Sequence, residues 1–352
     1  SPGGVSVNLG ISGPQNTVGA GTDSLSGFEN LEGSEVDDTL TGAAAANKIR
    51  GGSGNDSLDG GLGDDTLVGG LGDDVLNGGE GRDEVSYQEV GSGPVRVDLG
   101  SLLPQDVGDQ GFDTLLSIEV LRGTIYGDTL LGGAADESLY GGDGRDSLSG
   151  GAGHDLLSGG AYSDTLSGGL GNDSLIGGGP LVYWSGIDYV PAAGTDGDSL
   201  AGGLGDDTYE VTASSTEQYY SYAFGGTSGY GLQRGGTYAP DQGQEQPGEG
   251  IDTVQSYVSY VLPDNVENLQ LMERSFDING TGNALDNILT GNREANILDG
   301  GAGNDTMIGG AGEDTASYIT AMSGFSVSLA IAGAQATVCS GSDTLISIEN
   351  LI

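Results

Sequence analysis

Single apolar residues recur at every ninth position along several stretches of the chain, each set among polar residues and followed by a pair of glycines. From Gly51 the sequence is GGSGNDSLD, GGLGDDTLV, GGLGDDVLN and GGEGRDEVS, and each block follows GGxGxDxUx, where U is apolar. A lone apolar residue between polar neighbours indicates a short strand with one buried side chain. The glycines indicate turns, because glycine adopts the positive φ angles that side chains disfavour. The pattern therefore predicts a repeating unit of one turn and one short strand.

Together with weaker copies in the same phase, the repeats form three runs, at residues 33–86, 123–176 and 282–317. Two nonapeptides make one coil, so each apolar side chain is predicted to stack on the one 18 residues later. The first two runs then contain facing columns: Leu40, Leu58 and Leu76 opposite Ile49, Leu67 and Val85; Leu130, Leu148 and Leu166 opposite Leu139, Leu157 and Leu175. A core two side chains thick is too thin for hydrophobic burial alone to order so much glycine.

Between the runs the apolar period changes to two, as at Val5, Val7 and Leu9. Such alternation is typical of a half-buried strand, and we expect these flanking units to continue the stack as wider coils. Residues 4–32 align without a gap with residues 324–352. We expect a slice of a longer tandem array, or a subunit whose end stacks on the beginning of the next. The alternative is that the sequence was simply cut at these points.

Composition adds a strong negative charge, since 52 Asp and Glu against 9 Lys and Arg give a formal net charge of −43. Nucleic acid and anionic membrane surfaces need a basic footprint, so neither is predicted as a partner, whereas a cation is. One histidine, His154, and one cysteine, Cys339, exclude a two-histidine metal centre, an internal disulfide and a cysteine zinc site. No apolar run approaches the roughly 20 residues of a membrane span. His154 is predicted to face solvent at a variable repeat position, so we predict no enzyme activity.

The nonapeptide blocks resemble those of the RTX (repeats-in-toxin) calcium-binding proteins. This resemblance implies an all-β fold, a right-handed parallel β-roll solenoid with calcium held between its turns. It also implies export by a type I secretion system and folding outside the cell. It identifies a scaffold rather than an activity, because the family places such repeats in toxins, proteases, lipases, epimerases, adhesins and surface layers.

With the roll as the unit, the sequence predicts several calcium-binding blocks joined by wider β units. The segments are a partial flanking unit at 1–32, roll block 1 at 33–86, a flanking unit at 87–122, roll block 2 at 123–179, a short roll stretch with Trp/Tyr-rich insertions at 180–250, a flanking unit at 251–281, roll block 3 at 282–317 and a partial flanking unit at 318–352.

The sixth position of most repeats is acidic, and the predicted stacking places these carboxylates in columns. Coils of a parallel roll lie about 4.8 Å apart, where two carboxylates repel by about 3.5 kcal/mol at an effective dielectric of about 20. The chain is therefore predicted not to fold without metal. A calcium ion between two carboxylates would replace their repulsion by attraction to the ion. Calcium accepts six to eight oxygen ligands in tolerant geometry, whereas magnesium demands a near-ideal octahedron.

We predict multiple calcium ions, bound by sixth-position side chains and by turn carbonyls. The side-chain ligands are Asp38, Asp56, Asp65, Asp74, Asp83, Asp128, Asp146, Asp155, Asp164, Asp173, Asp198, Asp207, Asp305 and Asp314. The turn glycines of the sites are Gly52, Gly54, Gly61, Gly63, Gly70, Gly72, Gly142, Gly144, Gly151, Gly153, Gly169 and Gly171. The alternative for some of these acids is that they solvate the surface or cap turns.

Four repeats have no aspartate at the sixth position, which instead holds Asn47, Glu137, Asn287 or Asn296. We predict weak calcium binding or none in these coils. A neutral ladder of Asn side chains would let the coils stack without metal.

Two insertions interrupt the repeats, one after Ile176 with the sole tryptophan and one at residues 212–250. Exposed Tyr and Trp can stack on sugar rings or contact proteins; alternatively they cover an open edge of the roll.

We expect a secreted, extracellular or cell-surface module, structural or adhesive, whose partners are calcium and copies of itself or adjoining repeat units. Two alternatives stay open: the non-catalytic tail of a secreted enzyme, and a module that binds surface carbohydrate through Tyr183, Trp184 and the Tyr-rich insertion.

Overall fold

The computed structural model describes residues 3–18, 21–88, 93–178, 183–185, 188–190, 199–211, 219–224, 227–232, 242–245, 249–273, 277–319, 326–331, 333–336 and 341–352. Within these ranges the chain forms strands and turns, with one 3-10 turn at Gly108–Gln110. No helix in the same ranges is long and apolar enough to cross a membrane. The predicted all-β parallel roll is confirmed by strands that pair in parallel, coil upon coil. The chain divides into two compact units, Ser1–Gly160 with Thr165–Ser174, and Ala161–Asp164 with Leu175–Ile352.

The first half of the chain contains strands β1 to β19. Their bounds are β1 (Ser6–Asn8), β2 (Pro14–Asn16), β3 (Thr22–Ser24), β4 (Asn30–Glu32), β5 (Thr39–Thr41), β6 (Lys48–Ser53), β7 (Ser57–Leu62), β8 (Thr66–Leu71), β9 (Val75–Glu80), β10 (Glu84–Ser86), β11 (Arg96–Asp98), β12 (Gln105–Asp106), β13 (Phe112–Leu116), β14 (Val120–Arg122), β15 (Thr129–Leu131), β16 (Ser138–Asp143), β17 (Ser147–Ala152), β18 (Leu156–Ala161) and β19 (Thr165–Leu170). The strand orders in the first unit are β1-β5-β7-β9-β13-β12, β4-β6-β8-β10-β14-β16-β18 and β11-β15-β17-β19, with β2 and β3 as a hairpin.

Parallel pairing in this unit follows the nonapeptide register. Leu58 pairs with Leu40 on one side and with Leu76 on the other, and Leu67 pairs in the same way with Ile49 and Val85. The second run repeats the arrangement, since Leu148 pairs with Leu130 and Leu166. These side chains are at most 2% exposed, so the predicted apolar columns are confirmed as the core.

The turn glycines are required by how closely successive coils approach. All the glycines assigned to the calcium sites have φ between +101° and +135°, the region that side chains disfavour. A Cβ atom on Gly70 would collide with the carbonyl oxygen of Gly52 in the preceding coil. The repeat therefore needs glycine at this position both for its φ angle and for the spacing between coils.

The flanking units stack on the rolls as wider coils, as predicted. Val7 pairs with Leu40 and Leu115 with Leu76, which are separations far above 18 residues. Part of the extra length forms a small antiparallel pair, for example β12 with β13. The 18-residue period is thus interrupted along the sequence, whereas the parallel pairing of successive strands continues through the flanking units.

One side-chain contact recurs in the two segments that align with each other. The Gln15 side chain bonds the backbone N–H and carbonyl oxygen of Asn8 at 2.8 and 2.9 Å. Gln335 does the same with Ser328 at 2.7 and 2.9 Å. Gln15 and Gln335 occupy equivalent positions in the alignment of residues 4–32 with 324–352, so the sequence similarity corresponds to a shared local structure.

The second half of the chain contains strands β20 to β38. Their bounds are β20 (Ser174–Ile176), β21 (Tyr183–Ser185), β22 (Asp188–Val190), β23 (Ser199–Leu204), β24 (Thr208–Val211), β25 (Tyr219–Phe224), β26 (Thr227–Leu232), β27 (Gln242–Gln244), β28 (Thr253–Ser256), β29 (Tyr260–Val261), β30 (Asn268–Leu271), β31 (Gly280–Thr281), β32 (Ile288–Thr290), β33 (Ile297–Asp299), β34 (Thr306–Ile308), β35 (Thr315–Ala316), β36 (Gln335–Ala336), β37 (Ser342–Ile346) and β38 (Asn350–Leu351).

An apolar column runs through the described residues of the second unit. Parallel pairing joins Val254, Leu269, Leu289, Met307 and Leu345 in that order, each at most 9% exposed. The opposite face follows the order β29-β31-β33-β35-β38. In the insertions, β21 pairs with β22 and β25 with β26 as antiparallel hairpins.

Candidate metal sites

The sixth-position aspartates form a ladder along the turns, which we call the inner ladder. One carboxylate oxygen of each interior member, Oδ1, accepts the backbone N–H of the sixth-position residue one coil earlier. Asp38 donates to Asp56, and Asp56 in turn donates to Asp74, both at 2.8 Å. Along the other edge Asp65 donates to Asp83 at 2.8 Å. The predicted columns of carboxylates are therefore present, with one backbone hydrogen bond between successive members.

The second oxygen of the interior aspartates is buried and accepts no hydrogen bond from the described part of the chain. These aspartates are at most 3% exposed: Asp56, Asp65, Asp74, Asp83, Asp155, Asp305 and Asp314. An unsatisfied buried polar atom costs about 1–3 kcal/mol, and a charged one costs more. Because this cost recurs in every coil, the fold needs a bound positive charge near these oxygens to compensate for it.

The space beside this second oxygen is bordered by a second hard oxygen atom. A Cβ atom placed on Gly150 would lie 2.7 Å from the carbonyl oxygen of Gly168 and still closer to Asp155 Oδ2. Carboxylate and carbonyl oxygens from neighbouring coils thus face one small space that only glycine leaves open. Such an oxygen set suits calcium, which prefers carboxylate and carbonyl ligands in flexible geometry.

The asparagine coils show how the same position is satisfied without charge. Asn47 Oδ1 accepts the Ala43 N–H at 2.7 Å, and its Nδ2 donates to the Glu29 carbonyl at 2.9 Å. Asn296 Nδ2 likewise donates to the Ile278 carbonyl at 2.6 Å. An amide thus satisfies both of its polar atoms through the chain itself, while stacking of these coils without metal stays a prediction. A carboxylate has no such donor.

The first aspartate of each run in the first unit differs from the interior members. Asp38 Oδ1 accepts the Val5 N–H at 2.6 Å, and its Oδ2 accepts the Ser34 N–H. Asp128 is held in the same way by Val95 and Thr124. Both oxygens of these two carboxylates are therefore hydrogen-bonded within the chain, which makes their predicted ligand role the weakest in the set.

Acidic residues of the flanking units close the ladder at the end of a run, and sequence reasoning missed them. Each accepts the N–H of the last aspartate in its column: Asp113 from Asp74 at 3.1 Å, Glu119 from Asp83 at 2.9 Å, Asp343 from Asp305 at 3.1 Å and Glu349 from Asp314 at 2.9 Å. The available signal was the recurrence of an Asp and a Glu six residues apart, in FDTLLSIEV and SDTLISIEN.

A second ladder occupies the fifth position, which sequence reasoning treated as variable. Asn55 N–H donates to Asp37 Oδ1 at 2.8 Å, and Asn172 N–H donates to His154 Nδ1 at 2.9 Å. Here the later coil donates and the earlier coil accepts, the reverse of the inner ladder. His154 is exposed, as predicted, and its imidazole serves as a hydrogen-bond acceptor between coils.

Most of the predicted side-chain ligands can be placed. Asp198 lies outside the described residues, as does Cys339, and all the other assigned aspartates are at most 3% exposed. Glu137 is also buried, and its Oε2 accepts no hydrogen bond from a described residue. Direct calcium ligation by each residue remains a prediction.

Burial raises the pKa values of the inner-ladder carboxylates. Desolvation is the main cause, neighbouring acids raise the values further, and the backbone N–H donors oppose the shift. The pKa is raised to about 7 for Asp74, Asp146 and Asp305 and to about 6 for Asp56. In the metal-free chain these groups therefore bind protons in the neutral range.

This proton binding predicts that acid favours folding of the metal-free chain. Unfolded aspartates titrate near pH 3.9, so between about pH 4 and pH 7 the folded state binds more protons, and its stability rises as the pH falls through that window. Circular dichroism of metal-stripped protein should show more β structure at pH 5 than at pH 8. Calcium binding should weaken over the same range, because protons compete for the carboxylates. Less β structure at pH 5 than at pH 8 would contradict this expectation.

Comparison with known sequences adds an independent observation. The sequence profile of the RTX calcium-binding nonapeptide repeat (4 copies) matches residues 32–67, 59–87, 122–157, 149–179 and 281–316. Its description is that of a calcium-binding repeat and not of a catalytic family. No curated protein matches the chain.

Proposed function

Because this chain is an RTX-type calcium-binding repeat protein, we propose that it is a structural module, loaded with several calcium ions, of a larger extracellular assembly. The observation that carries the proposal is the row of buried carboxylate oxygens without hydrogen bonds in successive coils. Asp56, Asp74 and the equivalent interior aspartates would hold the ions together with turn carbonyls. Bound calcium would supply the positive charge that lets the coils approach.

The proposed location follows from coupling between metal binding and folding. A site assembled only in the folded chain makes the free energy of metal binding part of the free energy of folding. A chain with a formal net charge of −43 and calcium-dependent coils would stay unfolded where calcium is scarce. It would then fold after export, where calcium is abundant, which agrees with the type I secretion implied by the family resemblance.

The structural or adhesive part of the proposal is supported by the strands at the ends of two sheets, which can pair with another chain or with adjoining repeat units. Among the described residues, β4 is the last strand of its sheet order in the first unit and β38 the last of its order in the second. A strand at the end of a sheet presents backbone groups that can pair with another chain. Copies of this chain or adjoining repeat units are therefore the proposed protein partners.

Light scattering coupled to size-exclusion chromatography tests the assembly, with electron microscopy of the same fractions. In millimolar calcium we expect ordered oligomers or filaments whose amount rises with concentration, and their dispersal in chelator. A single monomeric species in calcium at every concentration would contradict the assembly while leaving calcium binding intact.

A further inference from the structure

A cluster of three buried carboxylates lies outside the matched nonapeptide segments. Asp207, Glu245 and Asp252 each place one carboxylate oxygen within 4.8 Å of the others. Asp207 and Asp252 are 1% exposed and Glu245 is 5% exposed. The segments that form this cluster, residues 199–211 and 242–273, contain no Lys, Arg or His to balance the charge.

Glu245 reaches the cluster because a distant segment takes the place of the next coil. Strand β27 pairs in parallel with β23, with Ser199 beside Gln242 and Ala201 beside Gln244. The following residue, Glu245, therefore stacks on Gly202, the first glycine of GGLGDDTYE. In a regular run the stacked residue would also be a glycine.

Backbone contacts fix the geometry of the cluster. The Gly202 N–H donates to the Tyr209 hydroxyl at 2.8 Å and also to Glu245 Oε1 at 3.3 Å. Asn265 Nδ2 donates to the Glu245 carbonyl at 2.8 Å. Asp252 Oδ1 accepts the Asp207 N–H at 2.9 Å, as the next aspartate of an inner ladder does. The two aspartates thus form one step of a ladder, and Glu245 adds a third carboxylate beside it.

The environment of the other carboxylate oxygen of Glu245, Oε2, indicates that this group binds a ligand. Glu245 is 5% exposed, and no described N–H group or hydroxyl donates to its buried Oε2. The Glu249 carboxyl lies beside the Glu245 side chain and adds a further acid to this region. Three carboxylates without nitrogen or sulfur donors form a hard oxygen set, which suits calcium and disfavours zinc or copper.

We propose that Asp207, Asp252 and Glu245 form a calcium site that fastens the end of the 212–250 insertion to the roll. The site rests on the same chemistry as the proposed function, but Glu245 belongs to no repeat. Cation binding here would secure β27 against β23 across an interruption in the repeat. It would thereby let the stack continue on the far side of a long insertion.

The test compares Glu245→Gln in the full chain with the wild type and with Glu210→Gln, a half-buried glutamate of β24 outside the cluster. Bound calcium per chain is measured by elemental analysis after equilibrium dialysis at pH 7.5, with amide hydrogen exchange on the same samples. We expect E245Q to lose one ion per chain and to exchange faster at residues 242–245. Protection at residues 282–317 should stay unchanged, which shows that the fold is retained. E210Q should match the wild type in every measurement.

Two failures can be told apart. If the wild type and E245Q bind the same number of ions, with equal protection at residues 242–245, the Glu245 site is wrong while calcium binding by the roll stands. If the wild type itself binds no calcium, the proposed function fails, and this site fails with it.

Discussion

Withdrawal of calcium at pH 8 is expected to unfold the roll blocks completely, because carboxylates whose pKa values are raised to about 6 or 7 are then mostly ionised. Interior aspartates such as Asp56 and Asp74 each bury an oxygen that accepts no hydrogen bond from the described chain. Their carboxylates lie in adjacent coils, where repulsion of about 3.5 kcal/mol per pair at an effective dielectric of about 20 acts several times over. A domain is stable by only about 5–15 kcal/mol, so a few such pairs exceed the stability available. Far-UV circular dichroism should change from a β spectrum in calcium to an unfolded spectrum in chelator.

The controls separate ion identity from ionic strength. Magnesium at the same concentration should restore little β structure, because it requires a near-ideal octahedral ligand set. Sodium chloride at equal ionic strength should restore less than calcium, because buried charges are screened only weakly by salt. Recovery of the full β spectrum in sodium chloride alone would mean that general screening, and not a bound ion, allows folding.

Replacement of Asp65 by asparagine is expected to have opposite effects in the presence and absence of calcium. Without calcium, Asp65→Asn removes a buried charge and places an amide donor near the Gly78 carbonyl, which borders Asp65 Oδ2 across Gly60. We expect stabilisation of about 1–3 kcal/mol, the cost of an unsatisfied buried polar atom. With calcium, loss of a charged ligand should raise the calcium concentration at the folding midpoint by about tenfold or more.

Asp64→Asn is the matched control, because it makes the same chemical change at an exposed neighbour. Asp64 Oδ1 accepts the Arg82 N–H at 3.0 Å, and an asparagine keeps that acceptor. Folding without calcium can be driven by the osmolyte trimethylamine N-oxide, which strengthens burial. The osmolyte concentration at which half of the protein is folded then measures stability in the absence of metal. D65N should lower this midpoint and D64N should leave it nearly unchanged. A D65N chain that is less stable than the wild type both with and without calcium would contradict this expectation. It would show that Asp65 stabilises the fold by contacts with other residues of the protein and not by binding an ion.

The regular part of the structure could be predicted because a fixed period determines which residues stack. Leu58 lies between Leu40 and Leu76, and Asp56 between Asp38 and Asp74, since each partner is 18 residues away. The neutral behaviour of Asn47 also followed from side-chain chemistry, because an amide can donate as well as accept. Periodicity and residue type together were sufficient for the fold class and for the columns of acidic residues.

The irregular part could not be predicted because separation along the chain no longer indicates the stacking partner. Asp113 and Glu119 continue the two columns of the first run across a flanking unit, at separations that no repeat specifies. Glu245 reaches Gly202 only because β27 pairs with β23 after a long insertion. The buried Tyr87 hydroxyl donates a hydrogen bond to Asp113 at 2.9 Å, and this contact too can be recognised only in the three-dimensional structure.

Amide hydrogen exchange of residues 51–86, in calcium and in chelator at pH 8, tests most directly whether the buried carboxylates need a shared cation. The N–H groups of Asp56 and Asp65 donate to the carboxylates one coil later, so their protection reports whether adjacent coils are stacked. We predict strong protection in calcium and exchange at the rate of an unfolded chain in chelator. Equal protection of these amides under both conditions would contradict the requirement for a cation.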